Sequence, residues 1–289
     1  MSIIDLVNKG KYVICAEIGP PKGVDIQEMV ETAELMRGKV DALNATDQQS
    51  SAMRLGSLAT CCILKEKGIE PVFQVTCRDR NRIALQSDLL SAYVLGIENI
   101  LCLTGDHVSL GDHPQAKPVF DLDSVSLLQA AKELEEGHDL GGKELAGTPK
   151  FCLGAVVSPA ADPVEPQIIK LEKKVKAGAQ FIQTQAVYES KKFEEFMKSV
   201  AHLKVPVMVG IVLLKSAGMA RFMNKNVAGV HVPDNLIEEM DGAEDRAKKS
   251  IEIAARLIKE MKSMCQGVHI MAIGWEKKVP EVLAAAGLS

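Results

Sequence analysis

Tyr12-Val13-Ile14-Cys15-Ala16-Glu17-Ile18-Gly19-Pro20-Pro21-Lys22-Gly23 begins as an apolar run and ends on a pair of prolines. Proline donates no hydrogen to a ladder, so this run reads as a buried strand that the backbone must leave at Gly19. A doubly wound dinucleotide fold is expected to carry Gly-x-Gly-x-x-Gly at its first turn, and Gly19 to Gly23 do not form that pattern. The strand also carries one carboxylate, Glu17, beside its exit. A carboxylate there is poorly solvated, which suits a proton donor. The plainer reading is a charge that faces solvent at the strand mouth.

Outward from this strand, short apolar runs alternate with longer amphipathic stretches. Strands are expected at 12–18, 40–45, 71–77, 98–103, 150–157, 180–187, 205–213 and 268–273. Helices are expected at about 25–38, 51–67, 80–95, 123–136, 164–177, 190–202, 216–225, 244–264 and 277–287. Eight such beats in 289 residues predict a (β/α)8 TIM barrel, a single domain over 1–289. Two segments break the beat. Residues 105–122 form a long loop after strand 4, a candidate cofactor or lid loop, and 226–243 read as irregular.

Composition narrows the function classes. A hydrophobic content of 47% with 25% charged residues is that of a globular chain with ample core. A net charge of −4, no basic stripe and 4% aromatics argue against nucleic acid. No apolar run approaches the roughly 20 residues of a membrane span. Met1-Ser2-Ile3-Ile4-Asp5 has no basic leader before an apolar core, so a cytoplasmic location is expected. The seven cysteines are scattered without C-x-x-C spacing and read as reduced core thiols.

In a barrel of this type the active face lies where the strands finish. Polar residues there are Glu17; Asn44, Thr46 and Asp47, followed by Gln48, Gln49 and Ser50; Gln74, Thr76 and Arg78; Thr104 and Asp106; Ser158 and Asp162; and Gln183, Thr184 and Gln185. Amides and hydroxyls with carboxylates at separate strand mouths suit a flat, heteroatom-rich ligand bonded along its edges. The competing reading is that such residues cap strands and start loops. Gln183 and Gln185 share a face by strand alternation, and a buried amide without a partner costs about 1–3 kcal/mol. Gly105-Asp106-His107 and Gly111-Asp112-His113 echo each other but match no ligand spacing, so no metal is expected. Asp106 could accept a bidentate bond from a 2-amino-pyrimidinone edge, or could satisfy its own turn.

Taken together, these segments resemble the methylenetetrahydrofolate reductase family, flavin-dependent enzymes on a (β/α)8 barrel. Glu17-Ile18-Gly19-Pro20-Pro21-Lys22 is similar to that family's Glu-Phe-Phe-Pro-Pro-Lys/Arg opening, Gln74-Val75-Thr76-Cys77 to its His-Leu-Thr-Cys strand, and Leu103-Thr104-Gly105-Asp106 to its Leu-Arg-Gly-Asp turn. Leu171-Glu172-Lys173-Lys174-Val175-Lys176-Ala177-Gly178-Ala179 with Thr184-Gln185 resembles its Leu-x-x-Lys-Val-x-Ala-Gly-Ala…Thr-Gln signature. The resemblance implies interconversion of 5,10-methylenetetrahydrofolate and 5-methyltetrahydrofolate by hydride transfer from flavin N5, with Glu17 as general acid.

It further implies that Asp106 holds the pterin and sits near the flavin, that Gln185 binds folate, and that the folate-stacking phenylalanine falls at Phe222 or Met223. Asn44, Gln74, Thr104, Gly105, Asp106, Ser158, Asp162, Gln167 and Lys174 fall at flavin-contacting positions. The family's histidine, arginine and tyrosine at three of these are Gln74, Thr104 and Ser158 here. FAD is the expected flavin, with FMN as the alternative. The electron donor would be NAD(P)H or a partner protein such as a zinc-containing subunit, in an oligomer, as in the family's short members from anaerobes. Two rival readings are a pterin-binding methyltransferase barrel and a non-autonomous subunit of a one-carbon complex.

Overall fold

Each strand of this chain pairs in parallel with its sequence neighbour. The last, β8 (Gly267–Met271), pairs back on the first, β1 (Val13–Ile18), through Cys15↔His269 and Ala16↔Ile270. The computed structural model describes residues 1–288. Between these two lie β2 (Ala42–Ala45), β3 (Pro71–Thr76), β4 (Asn99–Leu103), β5 (Cys152–Val157), β6 (Phe181–Ala186) and β7 (Val207–Val212), which close an eight-stranded parallel barrel. All eight expected strands are present, with ends within two residues of those read from the pattern.

Helices follow the strands: α2 (Gln27–Met36), α3 (Ser57–Glu66), α4 (Arg82–Val94), α5 (Ser124–Glu135), α6 (Glu165–Lys176), α7 (Ser190–Val200), α8 (Ala217–Asn226), α9 (Asp234–Asp241), α10 (Arg246–Met261) and α11 (Val279–Ala286), with α1 (Ile3–Asn8) ahead of β1. Three of these correct the sequence reading. Helix α3 starts at Ser57 rather than near 51, because Gln48, Ser50 and Ser51 take φ of 50°, 55° and 57° and turn the chain first. The stretch 226–243 is not irregular throughout. It holds α9, a helix of 8 residues that buries Leu236, Ile237 and Met240.

The unexpected α1 closes the lower end of the barrel. Ser2 and Asp5 form a reciprocal capping box, and Ile3 is buried with its N–H donated to Asn99 Oδ1 at 2.9 Å.

Strand alternation divides the core in two. Ile14, Ala16, Ile18, Phe73, Val75 and Ile100 face the helices, whereas Val13, Cys15, Val72, Leu101, Cys152, Phe181 and Met208 fill the lower barrel. Gly154 makes room for the Phe181 ring. A Cβ at 154 would lie 2.2 Å from Phe181 Cζ. Above this apolar plug the buried residues turn polar, with Glu17, Asn44, Gln74, Gln183 and His269 each 8% exposed or less.

Candidate active site

β1 sends Val13 and Cys15 inward and Ile14, Ala16 and Ile18 outward, which leaves Glu17 on the inner face at the strand's upper end. Its carboxylate is held by amides. Gln74 Nε2 donates to Oε1 at 3.1 Å, and Gln49 Nε2 donates to Oε2 at 3.3 Å. His269 on β8 brings Nε2 to 3.4 Å from Oε1, while its Nδ1 is buried without a partner. Across the barrel, Asn44 and Gln183 exchange amide hydrogen bonds at 2.8 and 3.3 Å. The buried Thr46 Oγ1, just past β2, has no partner.

The loops after β2, β3 and β4 are tied into one rim. Asp47 accepts from Thr76 N–H at 2.8 Å and Thr76 Oγ1 at 2.9 Å, and it also pairs with Arg80. Arg78 is 2% exposed and donates to the carbonyls of Gln48 at 3.3 Å and Asp106 at 3.4 Å. Gly105 has φ of 90°, and a Cβ on it would approach Thr76 Cβ to 3.0 Å, so the turn under Asp106 demands glycine.

The Gly-Asp-His echo is a loop anchor. Asp112 pairs with Lys22, with His113 at 2.8 Å and with Met53 N–H at 3.0 Å, and these partners hold its carboxyl well below the usual carboxylate range. A cavity of about 400 Å³ lies among these loops, bordered by Gln48, Met53, Arg78, Val108 and Asp112. A wider hollow, about 1110 Å³, opens at the opposite end between α1, α6 and α7, and its charged residues Glu194, Lys198 and Lys204 are all exposed. The buried polar side chains therefore gather at the strands' C-terminal end, away from that wider hollow.

Of the residues singled out from sequence, Glu17 and Gln74 meet directly, and Asn44 is joined to Gln183. Thr104, Gly105 and Asp106 form the exit of β4. Thr104 Oγ1 accepts the Ser124 N–H at the start of α5 at 3.2 Å, and the Asp106 side chain is exposed. A second group follows β5. Asp162 is exposed, Gln167 is half-buried, and Ser158 packs beneath Gly229. Lys174 is buried and donates to the Val156 carbonyl; burial, with Lys170 nearby, lowers its ammonium to about 8.

Gln185 is half-buried beside a register shift between Gln183 and Ala186, a bulge that re-aims side chains at the end of β6. Phe222 is 61% exposed on α8, whereas Met223 lies in the core. His269 was not legible as a site residue, because a lone histidine among apolar neighbours in a strand carries no local signal. The inward parity of β8 is the one cue that could have found it. Among the described residues, no group of three His, Cys, Asp or Glu is arranged to hold a metal ion, and no helix is long and apolar enough to cross a membrane.

The family model described as methylenetetrahydrofolate reductase matches residues 2–287. The chain belongs to the methylenetetrahydrofolate reductase family. "Methylenetetrahydrofolate reductase 2" of Schizosaccharomyces pombe is 26% identical across 100% of this chain and 48% of its own length. The "5,10-methylenetetrahydrofolate reductase" of Pectobacterium carotovorum is 22% identical over 88% of this chain and 81% of its own. This chain thus spans about half the length of the fission-yeast relatives it matches.

Among solved structures, a Clostridium thermocellum protein that binds two copies of 5-methyl-5,6,7,8-tetrahydrofolic acid has a TM-score of 0.67 at 16% identity, covering 98% of this chain and 96% of that one. A tryptophan synthase chain of Mycobacterium tuberculosis has a TM-score of 0.55 at 12% identity, covering 99% of this chain and 93% of that one. These likenesses share the barrel and differ in ligand, so within the methylenetetrahydrofolate reductase family the site residues carry the functional argument.

Proposed function

We propose that this barrel interconverts 5,10-methylenetetrahydrofolate and 5-methyltetrahydrofolate with a bound flavin, and that Glu17 is its general acid. The observation that carries the reading is a carboxylate 8% exposed at the strands' C-terminal end, held by Gln74 and Gln49, in a chain of this family. A structural neighbour that binds 5-methyltetrahydrofolate on the same fold supports a folate ligand.

A flavin fits the donor set that the barrel leaves unused. The unpartnered, buried Thr46 Oγ1 suits a ring nitrogen or carbonyl of a flat heteroaromatic ligand. Thr104, Gly105, Asp106, Ser158, Asp162, Gln167 and Lys174 would hold the group along the exits of β4 and β5. Asn44 and Gln74 reach it only by sharing amides now given to Gln183 and Glu17. The family resemblance favours FAD as that flavin, with FMN as the alternative.

When bound and reduced, the flavin supplies the hydride. The chain's residues do the rest. Glu17 protonates the departing nitrogen of the five-membered ring, which opens to an iminium whose carbon accepts the hydride to become the methyl group. One proton and one hydride are consumed per turnover, so Glu17 must be reprotonated in each cycle. Asp106 would hold the pterin edge, Gln185 the folate, and exposed Phe222, rather than core Met223, would stack on it. Electrons would come from NAD(P)H or from a partner protein such as a zinc-containing subunit, with the enzyme oligomeric and cytoplasmic.

The test is the visible spectrum of the purified chain, followed by methyltetrahydrofolate:dye oxidoreduction. A flavin spectrum with folate-dependent dye reduction is expected. A colourless protein that takes up neither added FAD nor FMN would overturn the reading, and folate binding without flavin would point to a methyltransferase instead.

A further inference from the structure

Glu17 has two oxygens, and their surroundings differ. Oε1 faces two nitrogens, Gln74 Nε2 at 3.1 Å and His269 Nε2 at 3.4 Å, while Oε2 meets only the Gln49 amide at 3.3 Å. Gln74 and Gln49 are amides and hold no exchangeable charge. Among the described residues, His269 is therefore the one titratable side chain paired with the carboxylate.

His269 is itself 3% exposed, and its Nδ1 meets neither partner nor solvent. A neutral imidazole carries one N–H. With that hydrogen on Nδ1, a buried donor would go unpaired; with it on Nε2, only a lone pair goes unpaired, and the donor nitrogen is the one 3.4 Å from Glu17 Oε1. The barrel interior thus selects the Nε2–H tautomer. Its register partners on either side, Cys15 of β1 and Gly210 of β7, add no further charge.

We propose that His269 is a positioning residue for Glu17: its Nε2–H donates to Oε1, keeps that oxygen an acceptor and so places the acid's proton on Oε2, the oxygen left for the substrate. The inference rests on the general-acid reading of Glu17. The distance of 3.4 Å is long for a hydrogen bond and is of the kind that closes once a ligand seats. A proton on Oε1 would instead be directed at two donors and away from the reacting nitrogen.

The experiment compares wild type with His269→Leu, His269→Asn and His269→Gln, each flavin-loaded and checked for fold by circular dichroism. Wild-type turnover is measured first. If wild type shows no flavin and no folate turnover, the function reading fails and His269 is not at issue. With wild type active, Leu and the short Asn should lower kcat on the order of 10- to 100-fold at little change in folate KM. Gln, whose Nε2 replaces the imidazole donor, should restore most of the loss.

The alkaline limb of the kcat/KM profile should move to higher pH in Leu and Asn, because the charged carboxylate loses a donor, and should return in Gln. A merely structural role would leave that limb in place. Wild-type kcat and pH profile in either the Leu or the Asn variant, or no recovery in Gln, would overturn the proposal. If Leu does not fold, the contrast between Asn and Gln carries the decision.

Discussion

Replacing Lys174 with methionine should stabilise the protein while weakening flavin binding. The lysine lies 8% exposed behind the sheet, with one hydrogen bond to the Val156 carbonyl. Burial, helped by Lys170 and opposed by Asp123 and Cys102, lowers its ammonium from 10.5 to about 8. At about 1.4 kcal/mol per pH unit, that difference is a folding penalty of about 3 kcal/mol for the charged form.

The sign follows from proton counts. Between pH 8 and 10.5 the unfolded chain binds more protons at this site than the folded one, so wild-type stability rises with pH through that window. Below pH 8 the penalty is fully present. Methionine keeps the apolar stem and removes the charge, but it leaves the Val156 carbonyl short of a donor, at about 1 kcal/mol. A net gain of roughly 2 kcal/mol is expected at pH 7, shrinking as pH climbs through the window.

Urea unfolding of both proteins at pH 7, 8, 9 and 10 measures it, since other lysines cancel in the difference. Flavin titration supplies the second readout, a weaker Kd in the variant. A methionine protein less stable than wild type at pH 7, or a gap that does not change between pH 8 and 10, would refute the reasoning.

Three further outcomes are expected. Glu17→Gln should lower folate turnover by on the order of 10²- to 10⁴-fold while reduction of the bound flavin by its donor survives, as read by stopped-flow bleaching; unimpaired folate turnover would remove the acid role. Gly154→Ala drives a Cβ to 2.2 Å from the Phe181 ring and should cost about 1–3 kcal/mol or more, partly recovered with Phe181→Leu; melting temperatures of the two singles and the double check the coupling. Half-buried Cys62 should be the one thiol of the native protein that reacts quickly with a thiol reagent, since the other six are buried, with Cys77 pushed up to about 12 and Cys152 to about 11; a second fast thiol would contradict this packing.

Alternating apolar runs and amphipathic stretches set the number and order of strands, because parallel strands buried on both faces read as continuous apolar segments. Glu17 was legible for the same reason: a lone carboxylate in such a run, stopped by Gly19-Pro20-Pro21, stands out locally. Helix α1 was not legible, being 6 residues long, too short for a period to register, and the 8-residue α9 was lost in a stretch that reads as irregular. Sequence parity put Gln183 and Gln185 on one face, but a bulge between Gln183 and Ala186 parts their roles, the first buried against Asn44 and the second half-buried at the mouth.

By itself, then, the sequence determined the barrel, the end of it where the polar side chains gather, and the carboxylate at the close of β1. Those are local or periodic properties, written in hydrophobic alternation and strand-stopping residues. Which groups surround that acid was decided only by closure of the sheet. Gln49, Gln74 and His269 sit after β2, on β3 and on β8, and nothing in their own neighbourhoods marks them as partners. Pairing of β8 with β1 carries His269, from near the chain's end, to 3.4 Å from Glu17 near its start. No sequence period encodes that contact, because it depends on the register with which the barrel shuts.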